Sequence, residues 1–186
     1  MGATPSIPNY LDLDYFSLTF AKTDCFRLIQ APKNIIEITE RILQPLWKPQ
    51  EILRSPGLVE YKLFGNPIIN GGAENMDFKY LLSTLIKSYY EEGWHLDKGV
   101  VLQRFGEAGS TVLFRKDAPL QTYIACISLD KTDQINFLGP ENIVPYLRDV
   151  IVHNWPLGIQ LEKEFNIKYK SHQFKVCISI LLIYNN

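Results

Sequence analysis

The sequence predicts an α+β fold: an antiparallel or mixed sheet with two to three helices packed on one face, built from an internal duplication whose second copy is truncated. Three observations carry this expectation. Short alternating runs bounded by turn residues recur along the chain and read as strands. Two longer stretches place apolar residues at helical spacing. One string of residues is also written twice. Leu18-Thr19-Phe20-Ala21-Lys22-Thr23-Asp24 aligns with Ile127-Ser128-Leu129-Asp130-Lys131-Thr132-Asp133. Pro32, Asn34, Ile35, Ile36 and Trp47 then match Pro140, Asn142, Ile143, Val144 and Trp155 without a gap, so that in each copy the tryptophan follows the asparagine by 13 residues.

Residues 1–14 read as a flexible polar tail, and 15–186 as a single α+β domain made of repeat copy 15–125 and partial copy 126–186. Tyr15–Phe20 and Cys25–Gln30 alternate as strands, and the polar link Lys22-Thr23-Asp24 makes them a hairpin. Ala31-Pro32 opens a helix, because a proline's missing N–H costs nothing in a first turn. Ile35, Ile38, Ile42 and Leu46 form its apolar stripe, and Pro45 and Pro49 bracket its end. Leu58–Pro67 is the next strand, running into the loop "NPIINGGAEN". Asp77–Glu92 is the clearest helix: Phe78, Leu81, Leu82, Leu85, Ile86 and Tyr89 share one face, and Gly93 ends it in the left-handed conformation. Val100–Phe105, Ser110–Arg115 and Thr122–Leu129 follow, and the turn residues between them predict an antiparallel meander. In the second copy Phe137-Leu138 stands for Leu28-Ile29, and Phe174-Lys175-Val176 for Tyr61-Lys62-Leu63. The Asp77–Glu92 helix has no counterpart there, which points to Cys177–Asn186 as an exposed remainder.

Bulk properties narrow the function. Hydrophobic residues make up 46% of the 186, enough for a real core, and charged residues 21%. A net charge of −1, with no run of Lys or Arg longer than two, argues against nucleic acid as a partner. Cys25, Cys126 and Cys177 are odd in number and widely spaced, which fits reduced thiols in an intracellular, cytoplasmic protein. Met1-Gly2-Ala3-Thr4-Pro5-Ser6 fits the pattern for myristoylation on Gly2, making Gly2 the candidate lipidation site and a weak peripheral membrane association its consequence.

Catalytic patterns are missing. There is no phosphate-binding G-x-x-x-x-G-K-[ST], no G-x-S-x-G elbow and no H-E-x-x-H. His95, His153 and His172 fall on three different elements without metal-ligand spacing, so neither a metal nor a cofactor is expected and no catalytic residue is assigned. Asp24 and Asp133 occupy equivalent positions and read as turn aspartates; an acid–base pair is the sharper alternative. The aromatic residues offer the remaining candidates, with Trp47, Trp94, Trp155 and Tyr61 forming a candidate binding surface for an unidentified protein partner. The function this favours is a non-enzymatic interaction module tethered through Gly2. The alternative is a small apolar-ligand carrier or enzyme with its site between sheet and helices.

These residues also carry a likeness. The sequence resembles a family of uncharacterised, largely fungal proteins with EFKL-G-P and GW-L motifs. The first copy supplies Asp24, Arg27-Leu28, Ala31-Pro32, Trp47, Glu60-Tyr61-Lys62-Leu63 with Gly65 and Pro67, Gly93-Trp94 with Leu96, and Thr111-Val112-Leu113-Phe114. The second supplies Trp155, Gly158-Ile159-Gln160, Glu162 and Phe174-Lys175. Ile68 stands where the pattern has tryptophan, and the second copy lacks the Gly-Pro and Gly-Trp segments. The resemblance implies the architecture and no activity, ligand or site.

Overall fold

The computed structural model describes residues 14–65, 73–104, 107–130, 133–155 and 157–176. Gly2, most of the 1–14 tail, most of the "NPIINGGAEN" loop and the Cys177–Asn186 segment lie outside them. The chain divides into two compact units, Met1–Thr122 and Tyr123–Asn186.

The first unit runs β1 (Tyr15–Ala21), β2 (Cys25–Ile29), α1 (Lys33–Leu46), β3 (Glu51–Ser55), β4 (Leu58–Lys62), α2 (Ala73–Glu91), β5 (Trp94–Arg104) and β6 (Glu107–Lys116). Its six strands form one antiparallel sheet in the order β3-β4-β2-β1-β6-β5. Residues paired across an antiparallel ladder point to the same side. Register therefore gathers Phe114, Phe16, Leu18, Leu28, Phe26, Val59 and Tyr61 on one face. Both helices contribute to the core on that face, α1 through Ile35, Ile38 and Leu43 and α2 through Phe78, Leu81, Leu85 and Tyr89. The opposite face carries a polar row, with Thr19 bonded to Thr111 (3.0 Å) and Arg27 ion-paired with Glu60.

Local chemistry explains the helix ends. Pro32 precedes α1 at φ −67°, and its carbonyl accepts from Ile35 and Ile36. Pro45 lies inside the last turn of α1 and Pro49 beyond it, and the Trp47 N–H closes the end onto Leu43. Gly93 sits at φ +74°, the left-handed position at which a helix commonly stops. The expected meander breaks after β6. The edge of β6 away from β5 is taken by β1, and the chain beyond is drawn back over the end of α2 by Asp117 N to Gly93 O (2.8 Å) and Leu120 N to Tyr90 O (2.9 Å).

The second unit runs β7 (Cys126–Asp130), β8 (Gln134–Leu138), a short 3-10 turn (Glu141–Ile143), α3 (Val144–Asn154), β9 (Ile159–Asn166), a second 3-10 turn (Ile167–Tyr169) and β10 (Ser171–Val176). Its strands form a separate antiparallel sheet in the order β7-β8-β10-β9. The α+β class with antiparallel strands and three helices holds, but the strands divide into two sheets where one was expected.

The four-strand order of β7-β8-β10-β9 repeats that of β1-β2-β4-β3, and so does the register. Leu18 opposes Leu28 as Ile127 opposes Phe137. Phe26 opposes Tyr61 as Ile135 opposes Phe174. Leu63 N donates to Asp24 O (2.7 Å) and Val176 N to Asp133 O (2.9 Å). Trp47 N and Trp155 N each close their helix at 2.8 Å, onto Leu43 and Ile151. Chemistry at matched sites differs. Where β2 and β4 carry the Arg27–Glu60 ion pair, β8 and β10 carry a buried amide pair, Gln173 Nε2 donating to Asn136 Oδ1 at 2.8 Å.

Candidate functional site

The sequence-derived candidates fall in different environments. Tyr61 is fully buried, and its hydroxyl donates to Glu40 Oε1 at 3.2 Å. Burial first, then the Glu40 carboxylate, pushes the Tyr61 phenol far up, so it stays protonated as a donor. Trp94 is also in the core, edge-on to Phe16 (5.1 Å) with Lys116 Nζ 5.0 Å over its ring. Trp47 is half-buried: it lies edge-on to Phe78 (6.1 Å), and its indole donates to Phe64 O at 3.1 Å. Trp155 is the most exposed of the four, at 37%.

Asp24, Asp133 and His95 each meet residues of their own unit. The Asp24 carboxylate accepts from Cys25 Sγ at 3.3 Å in the first hairpin turn, and that of Asp133 pairs with Lys175 at 3.6 Å in the second unit. His95 stacks on Tyr90 (4.5 Å, 9°) with Nδ1 3.8 Å from Asp117 Oδ2, and its Nε2 is buried without a hydrogen-bond partner. Asp117 is held below the usual carboxylate range by the Ala118 N–H first, then by Arg115 and His95. His172 lies on β10 opposite Phe137 and beside Glu164 of β9, while His153 is exposed on α3. Among the described residues no group of three or more His, Cys, Asp or Glu is placed to hold a metal ion. Burial is the first reason the Cys25 thiol is pushed up to about 11, with the Asp24 carboxylate adding to it, so the group is a thiol and not a nucleophilic thiolate at neutral pH.

A surface apart from Tyr61, Trp94 and Trp47 emerges from matching the two units. In the first, β1 carries Leu18 and Phe20 under α2, with Phe78 edge-on to Phe20 at 6.0 Å, and α1 turns Ile35 and Ile38 into the same core. In the second, the matched residues are Ile127 and Leu129 on β7, Ile143 at the start of α3, and Tyr146 within it. Leu18 is 1% exposed and Ile127 57%; Ile38 is 7% exposed and Tyr146 68%. Leu129 reaches 79%, and Val150, one turn beyond Tyr146, is also exposed. Among the described residues the second unit's core gathers Phe137, Val144, Ile151, Phe174 and Val176, while Ile127, Leu129, Tyr146 and Val150 stand in water. Scattered single apolar residues on a surface are ordinary, but a set that shares one face of a strand and one stripe of a helix is not.

A protein-family model matches residues 14–115 and 123–177, one stretch in each unit. A search of curated proteins gives no match. Among solved structures, a conserved kinetoplastid-specific protein from Trypanosoma cruzi is similar at 14% identity and a TM-score of 0.38, over 55% of this chain and 95% of that one. A likeness at that level carries no argument about function. A family of uncharacterised proteins was expected and is found; a fungal distribution and the EFKL-G-P and GW-L motif set are not part of what the comparisons give.

Proposed function

The chain belongs to a domain family of uncharacterised proteins, and on that premise, which lends it no activity, we propose that it is a non-enzymatic, cytoplasmic interaction module. The observation that carries this is the uncovered apolar face of the second unit, formed by Ile127 and Leu129 on β7 with Tyr146 and Val150 on α3. Exposed contiguous apolar surface of this kind marks sites where another molecule removes it from water. Each well-buried side chain of that size is worth about 2 kcal/mol on transfer, so four of them supply a useful part of a binding free energy. No helix of the described residues is long and apolar enough to cross a membrane. In this reading any membrane association comes from an acyl chain on Gly2, and a Gly2→Ala variant loses that mass in cells with an active transferase. Equal intact masses, apart from the substitution itself, remove the tether.

The interaction reading is tested by quantitative affinity capture from cells with the full chain and with its Leu129→Asp and Tyr146→Asp variants. Both residues project into solvent, so neither change disturbs the core. Proteins that use this face are depleted several-fold by both substitutions. A captured set that is identical for all three chains sinks the proposal.

A further inference from the structure

The chain carries its own record of what fits the uncovered face. In the first unit the corresponding surface is covered by α2, which buries Phe78, Leu81, Leu85 and Tyr89 along one side. Phe78 of α2 touches Phe20 (6.0 Å) and Trp47 (6.1 Å), Tyr89 touches Phe16 (5.5 Å), and the Tyr89 hydroxyl is bonded to Thr39 of α1 at 2.7 Å. One aromatic ring thus bridges the end of a strand and the tryptophan that follows a helix. The matched pair in the second unit is Leu129 and Trp155, both exposed. Register and helix ends coincide in the two units, so these residues hold the same places on their strand and helix as Phe20 and Trp47. The stripe of Ile143, Tyr146 and Val150 recurs at i, i+3 and i+7, the spacing a second helix packs against.

We infer that the second unit docks an amphipathic helix of a partner protein, laid across β7 and α3 as α2 lies across β1 and α1, with an aromatic residue seated between Leu129 and Trp155. This rests on the interaction reading above and specifies its partner. The helix carries the pattern that α2 carries, an aromatic residue followed by leucines three and seven positions on and a second aromatic eleven positions on, as in Phe78, Leu81, Leu85 and Tyr89. Two features separate this occupant from a bare strand. The uncovered stripe extends along α3, which a strand added to the sheet edge would not reach. The anchor position is also flanked by a helix-terminal tryptophan, which contacts α2 in the first unit.

The probe is a fluorescein-labelled peptide spanning residues 73–93, titrated with the full chain and followed by anisotropy. Saturable binding is expected, weakened at least tenfold when the chain carries Tyr146→Asp or Leu129→Asp, and by a similar factor when the peptide carries Phe78→Ala. Circular dichroism of each variant chain confirms that the fold is kept. No saturable binding, or binding that neither chain substitution moves, overturns the helix assignment. A concentration-dependent dimer abolished by Tyr146→Asp overturns it too, and gives the face to a second copy of this chain. If the surface substitutions deplete captured proteins while the peptide fails to bind, the interaction reading stands and the helix chemistry falls. If capture is unchanged and the peptide binds nothing, both fall.

Discussion

Replacing Gly93 by alanine tests how the first unit is closed. The residue has φ +74°, which costs an L-residue about 1 kcal/mol. Space is tighter than conformation. A Cβ at Gly93 would sit 2.4 Å from Asp117 O and 3.1 Å from Pro119 N, both backbone atoms with no side-chain freedom to yield. Clearing that contact needs a shift of about 1 Å in the 117–120 crossing, toward ordinary carbon contact distance. Such a shift spoils the bonds from Asp117 N to Gly93 O and from Leu120 N to Tyr90 O, each worth about 1 kcal/mol. The sum is about 3 kcal/mol of lost stability. Gly65 supplies the control: its φ is +76°, and an added Cβ meets nothing within 4 Å. Gly65→Ala therefore carries the conformational cost alone, about 1 kcal/mol. Urea unfolding followed by tryptophan fluorescence separates the two variants by about 2 kcal/mol. If they unfold within about 0.5 kcal/mol of each other, the crossing gives way freely and the steric argument is wrong.

Further expectations follow from buried polar groups. Thr39→Val strands the Tyr89 hydroxyl in the core, whereas Tyr89→Phe leaves the Thr39 hydroxyl its bond to Ile35 O (2.7 Å). The first change costs about 2 kcal/mol and the second clearly less, measured by the same urea midpoint. Glu162 is held below its ordinary value mainly by the bonds from Arg148. Its folded pKa lies below the unfolded one, so the pair stabilises the second unit above about pH 4.3, and that contribution fades as pH falls through the lower folded value. Arg148→Met removes this acid-sensitive part, so the stability difference between the two proteins shrinks from pH 6 to pH 3; a constant difference contradicts the assignment. Cys25, buried and protonated, resists alkylation in the folded chain at pH 8 and reacts at once in urea, as peptide mapping would show.

Local signals in the sequence survived folding. The Lys22-Thr23-Asp24 hairpin, the proline-opened α1 and the glycine-ended α2 are each set by short-range chemistry that acts before any tertiary contact. β3 was invisible, because Glu51–Ser55 is a largely exposed edge strand with no apolar alternation for a face to impose. The division into two sheets was also hidden. Turn residues show that a strand ends, not which ladder takes the next one, and it is the pairing of β6 with β1 that excludes β7. Among the site residues, composition made Tyr61 and Trp94 conspicuous as aromatics, yet strand parity sends Tyr61 inward. Which side chains of β7 and α3 stand in water needed the strand register, which the sequence does not state.

The two units hold their helices to their sheets with ion pairs of opposite sense. Glu40 of α1 pairs with Arg54 of β3, while Arg148, at the matched place in α3, pairs with Glu162 of β9. Two half-formed units with the same strand order are each other's most plausible wrong partner while the chain folds. Register sets the two strand partners two residues apart but on the same face, Arg54 opposite Val59 and Glu162 opposite Phe174, so an exchanged helix would bring Glu40 toward Glu162 or Arg148 toward Arg54. Either exchange replaces an attraction with a repulsion. The reversed polarity thus biases each helix toward its own sheet, by the modest amount that half-exposed ion pairs contribute, while one strand order is built twice.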